Sequence, residues 1–262
     1  FHLLRPIDPA GGSWYIESLT DSLAQKIWDE IRSVQSKGGM LACAKSGYIQ
    51  AATDEVLRER FKRLATRADR AVGTNMYPNL SEAPLPNSTR LSAKKPIAAA
   101  KDAEIAPITP RRWTEQFEEL RARTEEMKSN GSSVRIFLAN MGPVPQHKAR
   151  ADFITGFMEV AGFEILKNDG FKTTDACAEA AAASGADIAV ICSTDATYPE
   201  LVPDVAKSVK EKAPSMKVYL AGAPAEEFKQ AYIDAGVDGF ISIRSNCLDV
   251  LSEIQKEKGM KR

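Results

Sequence analysis

Histidine is nearly absent from this chain: 262 residues carry two, His2 and His147. Cysteine is scarce too. Cys43, Cys177, Cys192 and Cys247 lie far apart and lack the short paired spacing of a metal-ligand set, so no zinc site or disulfide framework is expected. Isolated thiols of this kind fit a reduced, cytoplasmic protein. There is no excess charge of either sign, with 35 Lys and Arg against 35 Asp and Glu, so nothing draws the chain to nucleic acid or to an anionic membrane. No apolar run approaches the roughly 20 residues of a spanning helix. No G-x-G-x-x-G follows a strand-like run, which removes the backbone cradle a dinucleotide needs. The chain starts at Phe1 rather than Met, so a fragment of a longer protein is expected and N-terminal targeting is not readable.

What is present is enough apolar residue for a core, 44% of the chain, and one stretch around which the rest is organised. In residues 134–166, Val134, Ile136, Phe137 and Leu138 read as a buried strand. The loop Asn140-Met141-Gly142-Pro143-Val144-Pro145 follows, then a helix with apolar residues at Phe153, Ile154, Phe157, Met158 and Ala161. Gly162 stops that helix and residues 163–166 begin a second strand. This βαβ unit is followed by helices at about 173–184, 198–212, 226–235 and 247–256, and by strands at 187–192, 217–221 and 238–243. The pattern predicts a doubly wound α/β domain over 134–262, a flavodoxin-like, Rossmann-like five-stranded parallel sheet of order 2-1-3-4-5. Ligands of such sheets gather at the carboxyl ends of the strands, so residues 140–147 are the first place to look.

Upstream, residues 1–79 read as a mainly helical tail. Pro6, Pro9, Gly11 and Gly12 impose a turn, and Trp14, Tyr15 and Ile16 after it read as a strand or a buried segment. A helix N-capped by Thr20 carries Leu23, Ala24, Ile27, Trp28 and Ile31 and ends at Lys37-Gly38-Gly39. A short helix at 40–45 and a charged one at 49–70 follow. Arg58, Arg60, Lys62, Arg63, Arg67 and Arg70 on the last could bind anions or simply form a solvated face interleaved with Asp54, Glu55, Glu59 and Asp69. Residues 80–133 change composition, with Pro84, Pro86, Pro96, Pro107 and Pro110, and read as a linker closed by a charged helix at 114–128. Trp14, Tyr15 and Trp28 are expected against a partner or against elements outside this chain, with an ordinary core place as an equal reading for Trp28.

Of the chemistries this fold hosts, several fail on the first loop. Pro143 and Pro145 remove N–H donors a phosphate would use, and Asn140 and Cys192 stand where a phospho-acceptor domain needs acids. Cobalamin remains: a histidine after the first strand can replace the lower axial base, and His147 is the only histidine in that loop.

Residues 1–79 are similar to the end of the catalytic barrel of the methylmalonyl-CoA mutase family. The likeness is carried by residues 5–17 (Arg5-Pro6-Ile7-Asp8-Pro9 through Glu17), Gly38-Gly39-Met40, Gly47-Tyr48-Ile49-Gln50 and Gly73-Thr74-Asn75. Residues 134–262 resemble that family's cobalamin-binding domain. The family's loop motif D-x-H-x-x-G places Pro145 at the Asp position, His147 at the His and Arg150 at the Gly. Cys192-Ser193-Thr194 replaces S-x-L, Ala221-Gly222 replaces Gly-Gly, and Ser242-Ile243-Arg244-Ser245 replaces the last glycine-rich turn. With Pro145 in place of the Asp, nothing obvious fixes the His147 tautomer, and Arg150 would lie in the path of the nucleotide tail. This pattern resembles the small, non-catalytic subunit of the heterodimeric enzymes. The resemblance implies no catalytic residue and no bound cofactor in this chain. It also implies a large (alpha) subunit as partner, which carries adenosylcobalamin and isomerises methylmalonyl-CoA to succinyl-CoA in propionate metabolism. The alternatives are a divergent cobalamin binder using His147 on cobalt with Ser193 and Gly222, or an unrelated α/β ligand- or protein-binding module.

Overall fold

The computed structural model describes residues 5–82 and 104–259, so Pro84, Pro86 and Pro96 of the expected linker lie outside the described residues. The chain divides into two compact units, one of residues 1–58 and 94–110, the other of residues 59–93 and 111–262.

In the first unit, α1 (Trp14–Ser36) starts six residues before the expected Thr20 cap, with Ser13 as its N-cap. The turn ahead of it, in which the Ser13 amide donates to the Ala10 carbonyl at 3.1 Å, delivers the chain directly into helix. Glu17 accepts from the Gly12 amide at 3.2 Å, which supports the first turn. Trp14, Tyr15 and Ile16 are therefore helical and not strand. Nor are they buried: Trp14 is 89% exposed and Trp28 58%, and no residue of α1 is buried within this chain. Gly38 and Gly39, both at positive φ, stop α1 and start α2 (Gly39–Lys45). The first turns of α3 (Tyr48–Ala65) complete the unit, with Gln50 Nε2 donating to the carbonyls of Ala44 at 3.1 Å and Ala106 at 2.8 Å.

The second unit is built on five parallel strands: β1 (Arg135–Asn140), β2 (Glu164–Leu166), β3 (Ile188–Cys192), β4 (Lys217–Ala221) and β5 (Gly239–Ile241). Their order is β2-β1-β3-β4-β5, as the alternation of strands and helices predicts. Register pairs Leu138 with Val190 and Asn140 with Cys192. Successive side chains of a strand point to opposite faces, and both faces here are apolar. Ile136, Leu138, Val190 and Cys192 pack under α4 (Glu115–Ser129), α5 (Val144–Met158) and α9 (Cys247–Glu257). Phe137, Ala139, Ala189 and Ile191 pack under α6 (Thr174–Ser184), α7 (Tyr198–Lys212) and α8 (Glu226–Asp234). Helices on both faces force the strands to read as unbroken apolar runs.

The unit reaches upstream of Val134. On α4, Phe117 and Leu120 are buried in the first core, and the fully buried Gln255 of α9 donates to the Leu120 carbonyl at 2.6 Å and to Thr124 Oγ1 at 2.8 Å. Helix α3 ends at Ala65, short of the expected Arg70, because Arg67 adopts a left-handed conformation at φ 62°. Among the described residues no helix is long and apolar enough to cross a membrane.

Candidate functional site

The carboxyl edge of the sheet is tied together by backbone bonds before any side chain acts. The Met141 amide donates to the Cys192 carbonyl at 2.9 Å, the Gly142 amide to Phe171 at 2.9 Å, and the Phe171 amide to Asn140 at 2.8 Å. Gly142, at φ 82°, makes the reversal into α5, a conformation that glycine takes without steric cost. Pro143 is the extended N-cap and Pro145 sits in the first turn, where a missing N–H costs the helix nothing. The same prolines remove the amides that would otherwise face an anion.

His147 stands on the first turns of α5 and is 4% exposed. Its Nδ1 lies 3.0 Å from the Gly142 carbonyl. A carbonyl only accepts, so Nδ1 carries the hydrogen and the neutral ring keeps its lone pair on Nε2. The expectation that nothing would set the tautomer is thereby corrected, since a backbone carbonyl takes the place of the absent carboxylate. The ring is also hemmed in. A Cβ built on Gly170 would come 2.6 Å from its Cε1, so Gly170 is where the imidazole gains its room.

Ser193, directly after β3, is 1% exposed and fully engaged. Its hydroxyl donates to the Met141 carbonyl at 3.2 Å and accepts from Thr197 Oγ1 at 2.9 Å. Its amide donates at 3.2 Å to the hydroxyl of Tyr198, which in turn donates to the Ala221 carbonyl at 2.7 Å. Tyr198 thus bridges the ends of β3 and β4. Burial, with a smaller opposing contribution from the Ser193 amide, raises its phenol far above the ordinary value, so it stays a neutral donor. Burial likewise raises the Cys192 thiol, which makes it a packing residue and no nucleophile.

Arg150 extends from α5 across the same edge. One guanidinium nitrogen donates to both carboxylate oxygens of Asp195, at 2.8 and 2.9 Å. A Cβ on Gly222 would lie 3.4 Å from the Tyr198 ring and 3.7 Å from the Arg150 guanidinium carbon. Arg150, Tyr198 and Gly222 therefore occupy one place above β3 and β4. Asn140 is buried at the end of β1, with Nδ2 donating to Asn168 Oδ1 at 3.2 Å, and its Oδ1 has no hydrogen-bond partner. The last turn closes on itself: the Ser242 amide donates to Ser245 Oγ at 2.9 Å, and Ile243 is left exposed.

The structure brings His147, Ser193 and Gly222 to the strand ends where the sequence places them. Sequence reasoning missed Tyr198 and Asn168. Neither belongs to a motif, and each acts through a contact distant in sequence. Among the described residues there is no group of three metal-ligating side chains.

A family model described as methylmalonyl-CoA mutase matches residues 1–141. The chain belongs to the methylmalonyl-CoA mutase family. It is 34% identical to the methylmalonyl-CoA mutase small subunit of Streptomyces virginiae over 249 residues, which is 95% of this chain and 38% of that protein. It is 31% identical to the small subunit of Porphyromonas gingivalis over 261 residues, 99% of this chain and 40% of that one. The large subunit from P. gingivalis is similar over a shorter stretch, 36% identical across 81 residues, or 31% of this chain and 11% of that protein. The chain spans about two fifths of the length of these small-subunit relatives. Membership of the mutase family sets aside an unrelated α/β module. The family model ends at Met141, so the residues from Gly142 onward are compared through the relatives, and the long matches among those cited here are to small subunits.

Proposed function

We propose that this chain is part of the small, non-catalytic subunit of a cytoplasmic methylmalonyl-CoA mutase. In this reading it supports a large subunit that carries adenosylcobalamin and the isomerisation of methylmalonyl-CoA to succinyl-CoA, and it contributes no catalytic residue itself. The observation that carries the reading is the edge formed by Arg150, Tyr198 and Gly222. A corrin with its nucleotide tail needs open space beside the loop histidine and above the strand ends. Here a guanidinium lies against Gly222, a phenol bridges β3 and β4, and His147 turns inward on Gly170. The residues present do not fit the cofactor. The exposed apolar stripe of α1, with Leu19, Leu23, Ile27 and Ile31, supports a role in association.

One observation favours the second reading, a divergent cobalamin binder. The His147 Nδ1–Gly142 bond leaves Nε2 as the basic nitrogen, the tautomer a histidine ligand needs. Titration with hydroxocobalamin and adenosylcobalamin, followed by visible absorbance, separates the two. No spectral change and no colour retained after desalting is the expected result. A saturable histidine-ligated spectrum, abolished by His147→Ala, would replace the first reading with the second.

A further inference from the structure

We infer that the cleft between residues 66–76, α5 and the turn after β5 binds a small organic oxyanion, a carboxylate or phosphate monoester that carries an apolar group. The inference is independent of the subunit reading.

The cleft has a volume of about 190 Å³ and is lined by Arg67, Arg70, Met76, Phe153, Phe157 and Ile243 with the hydroxyls of Thr66, Ser242 and Ser245. Among the described residues no carboxylate lines it. On the same charged segment Arg58 pairs with Glu55 and Arg63 with Asp69, and neither of those arginines lines the cleft. Among the described residues Arg67 makes no ion pair. Its Nε lies 3.0 Å from Met76 Sδ, and its guanidinium carbon sits 5.7 Å from the Phe157 ring centroid. Neither of these neutralises the charge. Arg70 is exposed and likewise has no ion pair among the described residues.

The hydroxyls are poised in the same sense. Ser245 Oγ accepts from the Ser242 amide at 2.9 Å and Ser242 Oγ from the Arg244 amide at 3.2 Å, so each keeps its hydrogen to donate. The wall is built in advance of any ligand. Asn75, fully buried, donates to the carbonyls of Leu64 at 3.0 Å and Asp69 at 2.9 Å and accepts from the Ala71 amide at 2.8 Å. The two non-glycine residues at positive φ among those described, Arg67 and Tyr77, bracket this segment. Strained backbone of this kind persists where the surroundings over-determine it, often at ligand clamps. Size limits the ligand: a cavity of about 150 Å³ holds benzene, so this one holds a single ring with its acidic group. Two cations and two hydroxyl donors facing an aromatic wall select an anion with an apolar body.

The test is ligand-observed NMR and calorimetry on the intact chain with benzoate, phenyl phosphate and the neutral isostere benzamide. Saturable binding of benzoate, phenyl phosphate or both, with benzamide at least tenfold weaker, is expected, and the preferred anion assigns carboxylate or phosphate. Arg70→Gln, a substitution at an exposed side chain, should weaken the anion about tenfold, as loss of one charge-assisted bond does. Arg58→Gln should leave it unchanged. Absence of binding by both anions, equal binding of benzamide, or insensitivity to Arg70→Gln with circular dichroism unchanged would overturn the assignment.

Discussion

The Tyr198 hydroxyl donates to the Ala221 carbonyl at 2.7 Å while it receives the Ser193 amide at 3.2 Å, so one side chain ties the ends of two adjacent strands. Arg150 lies beside it, bound to Asp195, but that pair is mostly in water, with side chains 30% and 72% exposed. The two should differ sharply in worth. Tyr198→Phe leaves a buried amide and a buried carbonyl unpaired and should cost about 1–3 kcal/mol. Arg150→Ala breaks a solvent-screened pair and should cost about 1 kcal/mol or less. Urea unfolding of both variants measures this, and equal losses would mean that Arg150 rather than Tyr198 holds the edge.

Helix α4 precedes the sheet in sequence yet is fastened to its last helix. Gln255 reaches it with two hydrogen bonds, to the Leu120 carbonyl and Thr124 Oγ1, at zero exposure. Gln255→Ala should cost about 1–3 kcal/mol, because it removes two buried hydrogen bonds. Amide exchange should then quicken in α4 before it does in β1 and β3. Uniform acceleration throughout the sheet would show instead that α4 and the sheet open as one cooperative piece.

Asp238 gives the acid dependence its sign. Burial alone would raise its carboxyl, but the Lys210 ammonium at 2.7 Å and the Val218 amide at 2.8 Å outweigh that and hold it below the ordinary carboxylate value. At neutral pH folded and unfolded chains are both ionised there, and the full stabilisation is present. As pH falls below about 4, the unfolded chain takes up the proton first and stability drops, until the folded carboxyl protonates in its turn. Asp238→Asn should flatten that acid limb and lower stability at pH 7. An unchanged slope of unfolding free energy between pH 5 and pH 2 would exclude Asp238 as its source.

The sheet was legible because the strands are short apolar runs set off by glycines that end the helices before them, and Gly162, Gly185 and Gly236 all take positive φ there. Thr173 caps α6, its hydroxyl accepting the Ala176 amide. The misreadings have physical causes. Trp14 to Ile16 looked buried because aromatic and β-branched residues usually are, yet they begin a helix whose apolar face this chain leaves open. Helix α3 seemed to run to Arg70 because a charged helical pattern does not reveal that Arg67 goes left-handed. His147 and Arg150 stood out as departures from a motif. Tyr198, Asn75 and the Arg67 environment did not, since each gains its meaning from residues that only the folded chain brings near.

All three tryptophans, Trp14, Trp28 and Trp113, are exposed, at 89, 58 and 43%. Trp14 and Trp28 both lie on α1, whose Leu23, Ile27 and Ile31 are themselves about half exposed. Water around every indole should give native emission close to that of the urea-unfolded chain, an unusual result for a folded protein of this length. If α1 is the docking face, adding the large subunit should shift the emission to the blue. That shift should vanish in a Trp14→Phe/Trp28→Phe variant, where only Trp113 reports. Substituting Leu23 and Ile27 by Ser should abolish capture of the large subunit while urea unfolding of the α/β unit stays within about 0.5 kcal/mol of wild type, because neither side chain is buried in this chain. A native emission already far to the blue would mean that these tryptophans are covered in the free protein, and α1 would then have no open face to offer a partner.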